Sequence, residues 1–201
     1  MKRQMHHTGL LFGSFNPIHI GHVALANYVL EYAPFDEIWF VVSPQNPLKD
    51  NSDLAPAVHR LEMTKTAIRS EPRFKICNIE FSMPIPSFTI NTLQKLNNLY
   101  PNHDFTLIIG SDNMININRW HNYNLLLRNH SILVYPRPGY PLEKVPGSPN
   151  KSIKIIEAPV LDISSTLIRK GLKERKKLNF LLPQGVYDYI SEHQLYQNKK
   201  E

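Results

Sequence analysis

The chain is short of the features that mark a secreted or membrane-bound protein. One of its 201 residues is cysteine, so an internal disulfide is excluded. That residue, Cys77, lies in the apolar run Phe74-Lys75-Ile76-Cys77, where a core thiol is expected rather than a nucleophile or a metal ligand. No apolar run approaches the roughly 18 residues of a membrane span. Lys2 and Arg3 are followed by too few apolar residues before Gly13 and Ser14 to make the core of a signal peptide. A reducing, cytoplasmic setting without membrane contact is therefore expected. Internal repeats and low-complexity blocks are absent too. His6 and His7, ahead of the first expected strand, read as solvated side chains.

Acidic residues are also in deficit. Lys and Arg number 23 against 17 Asp and Glu, a formal charge of +6. Such an excess suits a protein that handles several phosphates, or one that binds nucleic acid. The densest basic run, Arg169 to Lys177, has no interleaved aromatics on which bases could stack, which counts against nucleic acid. The length suits one domain, residues 1–201, with a helical C-terminal part, 163–201, packed on it.

Short apolar runs recur at residues 9–12, 38–42, 74–77, 105–109, 132–135 and 153–156. Segments with helical spacing lie between them at 57–69, 90–100 and 163–172, and a terminal helix is expected over 186–192. Wholly apolar strands separated by helices predict an α/β fold, a three-layer Rossmann-like parallel sheet with helices on both faces. Ligands of such a sheet sit at the carboxyl ends of its strands. Two Pro-rich segments, 43–50 and 136–150, interrupt the alternation and have the length of binding loops or lids.

The chemistry-bearing runs begin where strands end. Gly13-Ser14-Phe15-Asn16-Pro17-Ile18-His19-Ile20-Gly21-His22 joins the first strand to a segment with apolar Leu25, Tyr28, Val29 and Tyr32 at helical spacing. A small-residue turn there presents backbone N–H groups at a helix N-terminus, a site for phosphate. His19 and His22, three apart, can face the same anion. Gly110-Ser111-Asp112 follows the fourth strand, with Trp120 eight residues beyond Asp112. Ser87-Phe88-Thr89 opens a helix with Ser87 or Thr89 as its expected N-cap. Asp162-Ile163-Ser164-Ser165-Thr166-Leu167-Ile168-Arg169 is a second helix start rich in hydroxyls and free N–H groups, with Arg169 about one turn on.

The first run resembles the H-x-G-H signature of the nucleotidyltransferase superfamily, and in its longer form the opening of the bacterial nicotinate-mononucleotide adenylyltransferases. Asn16 stands where that pattern has Asp. The 110–120 block resembles the family's I-I-G-x-D…W, residues 87–93 its S-Y-T-x-D-T-L, with Phe88 for Tyr and Asn91 for Asp. Residues 163–169 resemble I-S-S-T-x-I-R, and Arg137-Pro138-Gly139-Tyr140 matches R-P-G-Y.

This resemblance implies an enzyme of NAD biosynthesis. It would transfer the adenylyl group of ATP to nicotinate mononucleotide by direct in-line attack on the α-phosphorus. His19, His22 and Arg169 would act on the phosphates. Gly13, Ser14, Phe15, Gly21, Lys49, Gly110, Asp112, Ser164, Ser165 and Thr166 would bind ATP. Asn16, Phe88, Thr89, Trp120 and Arg137 would bind the mononucleotide, with Trp120 on the pyridine ring. Mg²⁺ is expected to arrive with ATP, since no carboxylate cluster suggests a protein cage. A homo-oligomer is compatible with the sequence. Open alternatives are an enzyme preferring nicotinamide mononucleotide or another acceptor, and a non-catalytic nucleotide- or RNA-binding module. An aminoacyl-tRNA synthetase fragment is disfavoured, for want of a K-M-S-K-S-like loop.

Overall fold

Neighbouring residues of the central strands are buried on opposite sides, which is what makes the apolar runs continuous rather than alternating. Leu11, Phe40, Ile108 and Leu133 belong to one hydrophobic cluster, and Leu10, Val41, Leu107 and Val134 to the other. The computed structural model describes residues 5–45, 53–145 and 153–197. Among them six strands form one parallel sheet: β1 (His6–Gly13), β2 (Glu37–Val42), β3 (Phe74–Cys77), β4 (His103–Gly110), β5 (Ser131–Tyr135) and β6 (Ile153–Ile155). Their order is β3-β2-β1-β4-β5-β6.

Helices α1 (Ile20–Tyr32), α2 (Ala57–Ile68), α6 (Ser165–Lys173) and α7 (Val186–Glu192) cover the first face through residues such as Val29, Met63, Ile168 and Ile190. Helices α3 (Thr89–Leu99), α4 (Ser111–Ile115) and α5 (Tyr123–Asn129) cover the second through Leu93, Met114 and Leu126. The expected three-layer architecture is thus present. Cys77 is buried, and burial pushes its thiol up to about 11, as befits a core residue. None of the helices among the described residues is long and apolar enough to cross a membrane.

The strand order places β1 and β4 side by side at the centre, although β2 and β3 separate them in the chain. From β1 the chain winds outward to β2 and β3, then returns to β4 and winds the other way. The crossovers therefore diverge above the carboxyl ends of β1 and β4, which opens a crevice there. Both strands end in glycine, Gly13 and Gly110.

Three details differ from the sequence reading. β1 starts at His6, not residue 9, because it is central and finds partners on both sides. His6 and His7 are strand residues whose side chains stay exposed, as expected, with the His6 N–H on the Asn102 carbonyl at 2.9 Å and His7 Nδ1 3.3 Å from Asp104 Oδ2. The short helices α4 and α5 show no long apolar period and were not foreseen. At α3 the N-cap position is Phe88, without a side-chain cap. Ser87 instead donates to the buried Glu80 carboxylate at 2.7 Å.

Leu10 lies at the middle of β1 and is fully buried between sheet and α3-side helices. Leu10→Ala should lower stability by about 2–5 kcal/mol, the usual cost of such a truncation, measured by urea unfolding. A loss under about 1 kcal/mol would contradict this placement of the core.

Candidate active site

Two adjoining cavities open at the crevice, of about 580 and 390 Å³. They share a floor made by Phe12, Gly13, Ser14, Asp112, Asn113 and Tyr135. Each described candidate residue from the sequence lines one cavity or the other. Lys49 falls outside the described residues.

The larger cavity lies toward the α3 side. Phe88 and Trp120, both half-buried, stand in its wall, and the N-terminus of α3 at Thr89 opens into it. The His121 ring stacks on Phe88 at 4.3 Å. Behind this wall Glu80 accepts hydrogen bonds from Ser87 Oγ at 2.7 Å and Thr92 Oγ1 at 2.8 Å, fixing the entry to the helix. The cavity is thus aromatic on one side and polar at one end, the shape expected for a flat heterocycle with a polar substituent.

The smaller cavity gathers two histidines and two arginines: His19, His22, Arg137 and Arg169. His19 and His22 lie at the start of α1 with rings 3.7 Å apart. The His19 backbone N–H donates to His22 Nδ1 at 3.2 Å. With Nδ1 accepting, the ring proton of His22 belongs on Nε2. The His19 ring folds across Gly21, where even a methyl group would stand 3.0 Å from Nδ1. A side chain at position 21 would make the His19 ring give way by a few tenths of an ångström.

His19 is only 4% exposed, and its Nδ1 has no hydrogen-bond partner among the described residues. Burial pushes its pKa down to about 4, assisted by the Arg137 cation. Arg169 has a buried, unpartnered Nε as well, while its Nη1 donates to the Asn16 carbonyl at 2.9 Å. Two orphaned polar nitrogens in one cavity are a cost unless a ligand satisfies them. An anion would do so.

At the start of α6, Ser164 Oγ accepts from the Leu167 N–H at 3.2 Å, the expected cap, and Ser165 Oγ donates to the Pro17 carbonyl at 2.9 Å. The second bond ties this helix start to the β1–α1 turn. Arg137 was expected on the mononucleotide side but lines the smaller cavity, its Nε 3.9 Å from Asp112 Oδ1. Gly110 was expected with ATP and lines the larger one, whereas Asp112 borders both. A side chain at Gly110 would run into the Asp112 carboxylate and stand 2.6 Å from Arg137 Cγ. This pair is seated against bare backbone.

Phe15 and Asn16 line the smaller cavity, and their side chains are engaged within the protein. The Phe15 ring is buried against Phe40 and His22, and its φ of 44° lies in the left-handed region. Such a residue costs roughly 1–3 kcal/mol and persists only where its surroundings impose it. The Asn16 amide is committed to the protein: Nδ2 donates to the Asp53 carbonyl at 2.9 Å, and Oδ1 accepts from the Ala55 N–H at 3.1 Å. Only an amide can both give and take here, since an ionised Asp has no donor.

Arg60 completes the arrangement and was missed in the sequence. It is fully buried, and its guanidinium donates to the carbonyls of Ser14 (2.6 Å), Ser43 (2.7 Å), Pro44 (2.6 Å) and Ala55 (2.9 Å). Burial pushes its pKa down to about 10, so it remains cationic at neutrality. A signal was available, because Arg60 shares the 60, 63, 64, 67 stripe of α2 with Met63, Thr64 and Ala67. Glu80, in an irregular turn, offered none. Among the described residues no group of three His, Cys, Asp or Glu side chains could hold a metal ion.

Comparisons with known proteins now define the class. Residues 10–171 match the cytidylyltransferase-like family. A Bacteroides thetaiotaomicron protein named a probable nicotinate-nucleotide adenylyltransferase is 46% identical over 186 residues, 92% of this chain and 91% of its own. One of the same name from Flavobacterium johnsoniae is 45% identical, covering 94% and 97%. The chain belongs to the nicotinate-nucleotide adenylyltransferase family. Among solved structures, the Plasmodium falciparum nicotinic acid mononucleotide adenylyltransferase complexed with NaAD shares the fold, with a TM-score of 0.79 at 23% identity over 95% of this chain and 97% of that one.

The His19 geometry has a consequence for stability. The folded chain holds this imidazole neutral down to about pH 4, against 6.5 for the ordinary side chain. Between those values the unfolded chain binds the extra proton. The stabilising effect is therefore complete above pH 6.5 and lost as the pH falls toward 4, by up to about 3 kcal/mol. Urea unfolding of wild type and His19→Gln at pH 7 and pH 4.5 should show a smaller acid loss in the variant. Equal losses would contradict the buried, neutral placement.

Proposed function

We propose that the protein transfers the adenylyl group of ATP to nicotinate mononucleotide, releasing pyrophosphate and forming nicotinic acid adenine dinucleotide. The observation that carries this reading is the pair of joined cavities. One is aromatic and suited to a pyridine nucleotide; the other is lined by His19, His22, Arg137 and Arg169 and suited to a triphosphate. They meet over Gly13, Ser14 and Asp112, where the two reacting phosphates come together. The names of the close relatives support the same reaction.

In this reading the mononucleotide lies along the larger cavity with its pyridine ring on Trp120 and its acidic substituent toward the Thr89 helix start. ATP enters the smaller cavity as its magnesium complex, the metal being part of the substrate. The mononucleotide phosphate oxygen attacks the α-phosphorus in line, the bond to the β-phosphate bridging oxygen breaks, and pyrophosphate leaves. The attacking group comes from the substrate, so the protein supplies position and charge. His22 donates through Nε2 to phosphate oxygens. The Arg169 cation offsets charge as the pyrophosphate departs, and His19, a neutral ring in the same lining, serves as a hydrogen-bonding group. Arg137 lies between the two phosphates, held near Asp112. Asp112 accepts from a ribose hydroxyl. The setting we propose is the cytoplasm.

Pyrophosphate release from ATP and Mg²⁺ should proceed with nicotinate mononucleotide and be at least tenfold slower in kcat/KM with the nicotinamide form. Equal rates, or release with neither, would overturn the acceptor assignment. His22→Ala should fold and lose at least about a hundredfold in kcat, the typical cost of removing one transition-state donor. Near-normal turnover would remove His22 from the mechanism.

A further inference from the structure

The turn that carries the phosphate site is held from behind by a segment beyond the family match, which ends at residue 171. After α7 the chain reverses. The Leu195 N–H donates to the Ile190 carbonyl at 3.0 Å, with Gln194 at φ 50° and Tyr196 at φ 60°. This is the left-handed stop that ends many helices. Leu195 and Tyr196 are thereby laid against the hydrophobic cluster of the α1 side. The Tyr196 hydroxyl reaches Asn16 and donates to Oδ1 at 2.8 Å. Burial raises the Tyr196 pKa, so the phenol stays protonated and remains a donor.

This contact closes a set of bonds around one strained residue. Phe15, at φ 44°, is flanked by Ser14, whose carbonyl is held by Arg60, and by Asn16, whose carbonyl is held by Arg169. The Asn16 side chain is pinned by Ala55, Asp53 and Tyr196. Residues 14–16 line the smaller cavity beside both histidines. Left-handed backbone persists at a non-glycine position only where neighbours hold it.

We propose that Tyr196 is a positioning residue for ATP: its hydroxyl, through Asn16, holds the 14–16 backbone in the conformation that receives the triphosphate. This rests on the adenylyl-transfer reading of the site. The C-terminal segment is then a working part of the nucleotide site, although it touches none of the cavity's open space.

The test is Tyr196→Phe in the full chain, which removes one hydroxyl and leaves the ring packed. Calorimetric binding of a non-hydrolysable ATP analogue should weaken about fivefold, and kcat/KM for ATP should fall by a similar factor, as one hydrogen bond allows. KM for nicotinate mononucleotide should change less, within about twofold, because of residues 14–16 only Ser14 borders the larger cavity. Tyr187→Phe removes a hydroxyl from the nearby terminal helix α7 and should keep wild-type values. Wild-type analogue affinity in Tyr196→Phe would overturn the proposal, as would an equal loss for both substrates or the same loss in Tyr187→Phe. If wild-type protein released no pyrophosphate, the functional reading would fail while the calorimetric comparison still decided the role of Tyr196.

Discussion

A buried cation held, among the described residues, by backbone carbonyls rather than by a carboxylate underlies the site. Arg60 is withdrawn from water completely, and its partners are four backbone carbonyls from three places in the chain. A charge so placed is costly unless nearly all its donors are satisfied. Here the guanidinium fork satisfies them while fastening the turn after β1 to the loop after β2 and to Ala55. Its planar donor geometry matters as much as its charge, and a lysine could not span these acceptors. The same charge lies behind the cavity that would receive a triphosphate. Removing it would release two walls of the site together.

What this fastening secures is a meeting point set by topology. The parallel sheet brings the ends of β1 and β4 together, and their final glycines allow the backbone to approach closely. Crossovers to opposite faces then supply unlike walls. The α3 side contributes aromatic surface and a buried carboxylate that orients the helix entry. The α1 and α6 side contributes histidines, arginines and two helix starts. Chemistry divides along the sheet because each face receives a different set of helices. The charged half also carries unsatisfied nitrogens on His19 and Arg169, a cost that the folded core bears and an anionic ligand relieves.

Much of this was legible in the sequence. The six apolar runs marked the strands because parallel strands buried on both faces read as continuous runs, and the motifs at their ends marked the crevice. The described candidates from Gly13 to Arg169 gather there because the strand ends converge. Less was legible where a residue works through the backbone of another. Arg60 looked like part of an ordinary amphipathic helix, and only its place on the apolar stripe distinguished it. Glu80 sits in an irregular turn without periodicity. Asn16 appeared as a departure from a motif, and its need to donate as well as accept became clear only beside Asp53, Ala55 and Tyr196. The division of Gly110 and Arg137 between the cavities depends on three-dimensional placement that no spacing encodes. Short helices such as α4, five residues long, carry too few residues for a period to show.

The central claim is that two nucleotides face each other across the shared floor of the cavities and react directly. The stereochemical course at the α-phosphorus tests this most closely. With the Sp isomer of adenosine 5′-(α-thio)triphosphate and nicotinate mononucleotide as substrates, a single in-line displacement inverts the configuration in the dinucleotide product. Inversion is the result expected here. Retention would require two successive displacements through an adenylylated side chain, and would contradict a site built only to position and neutralise.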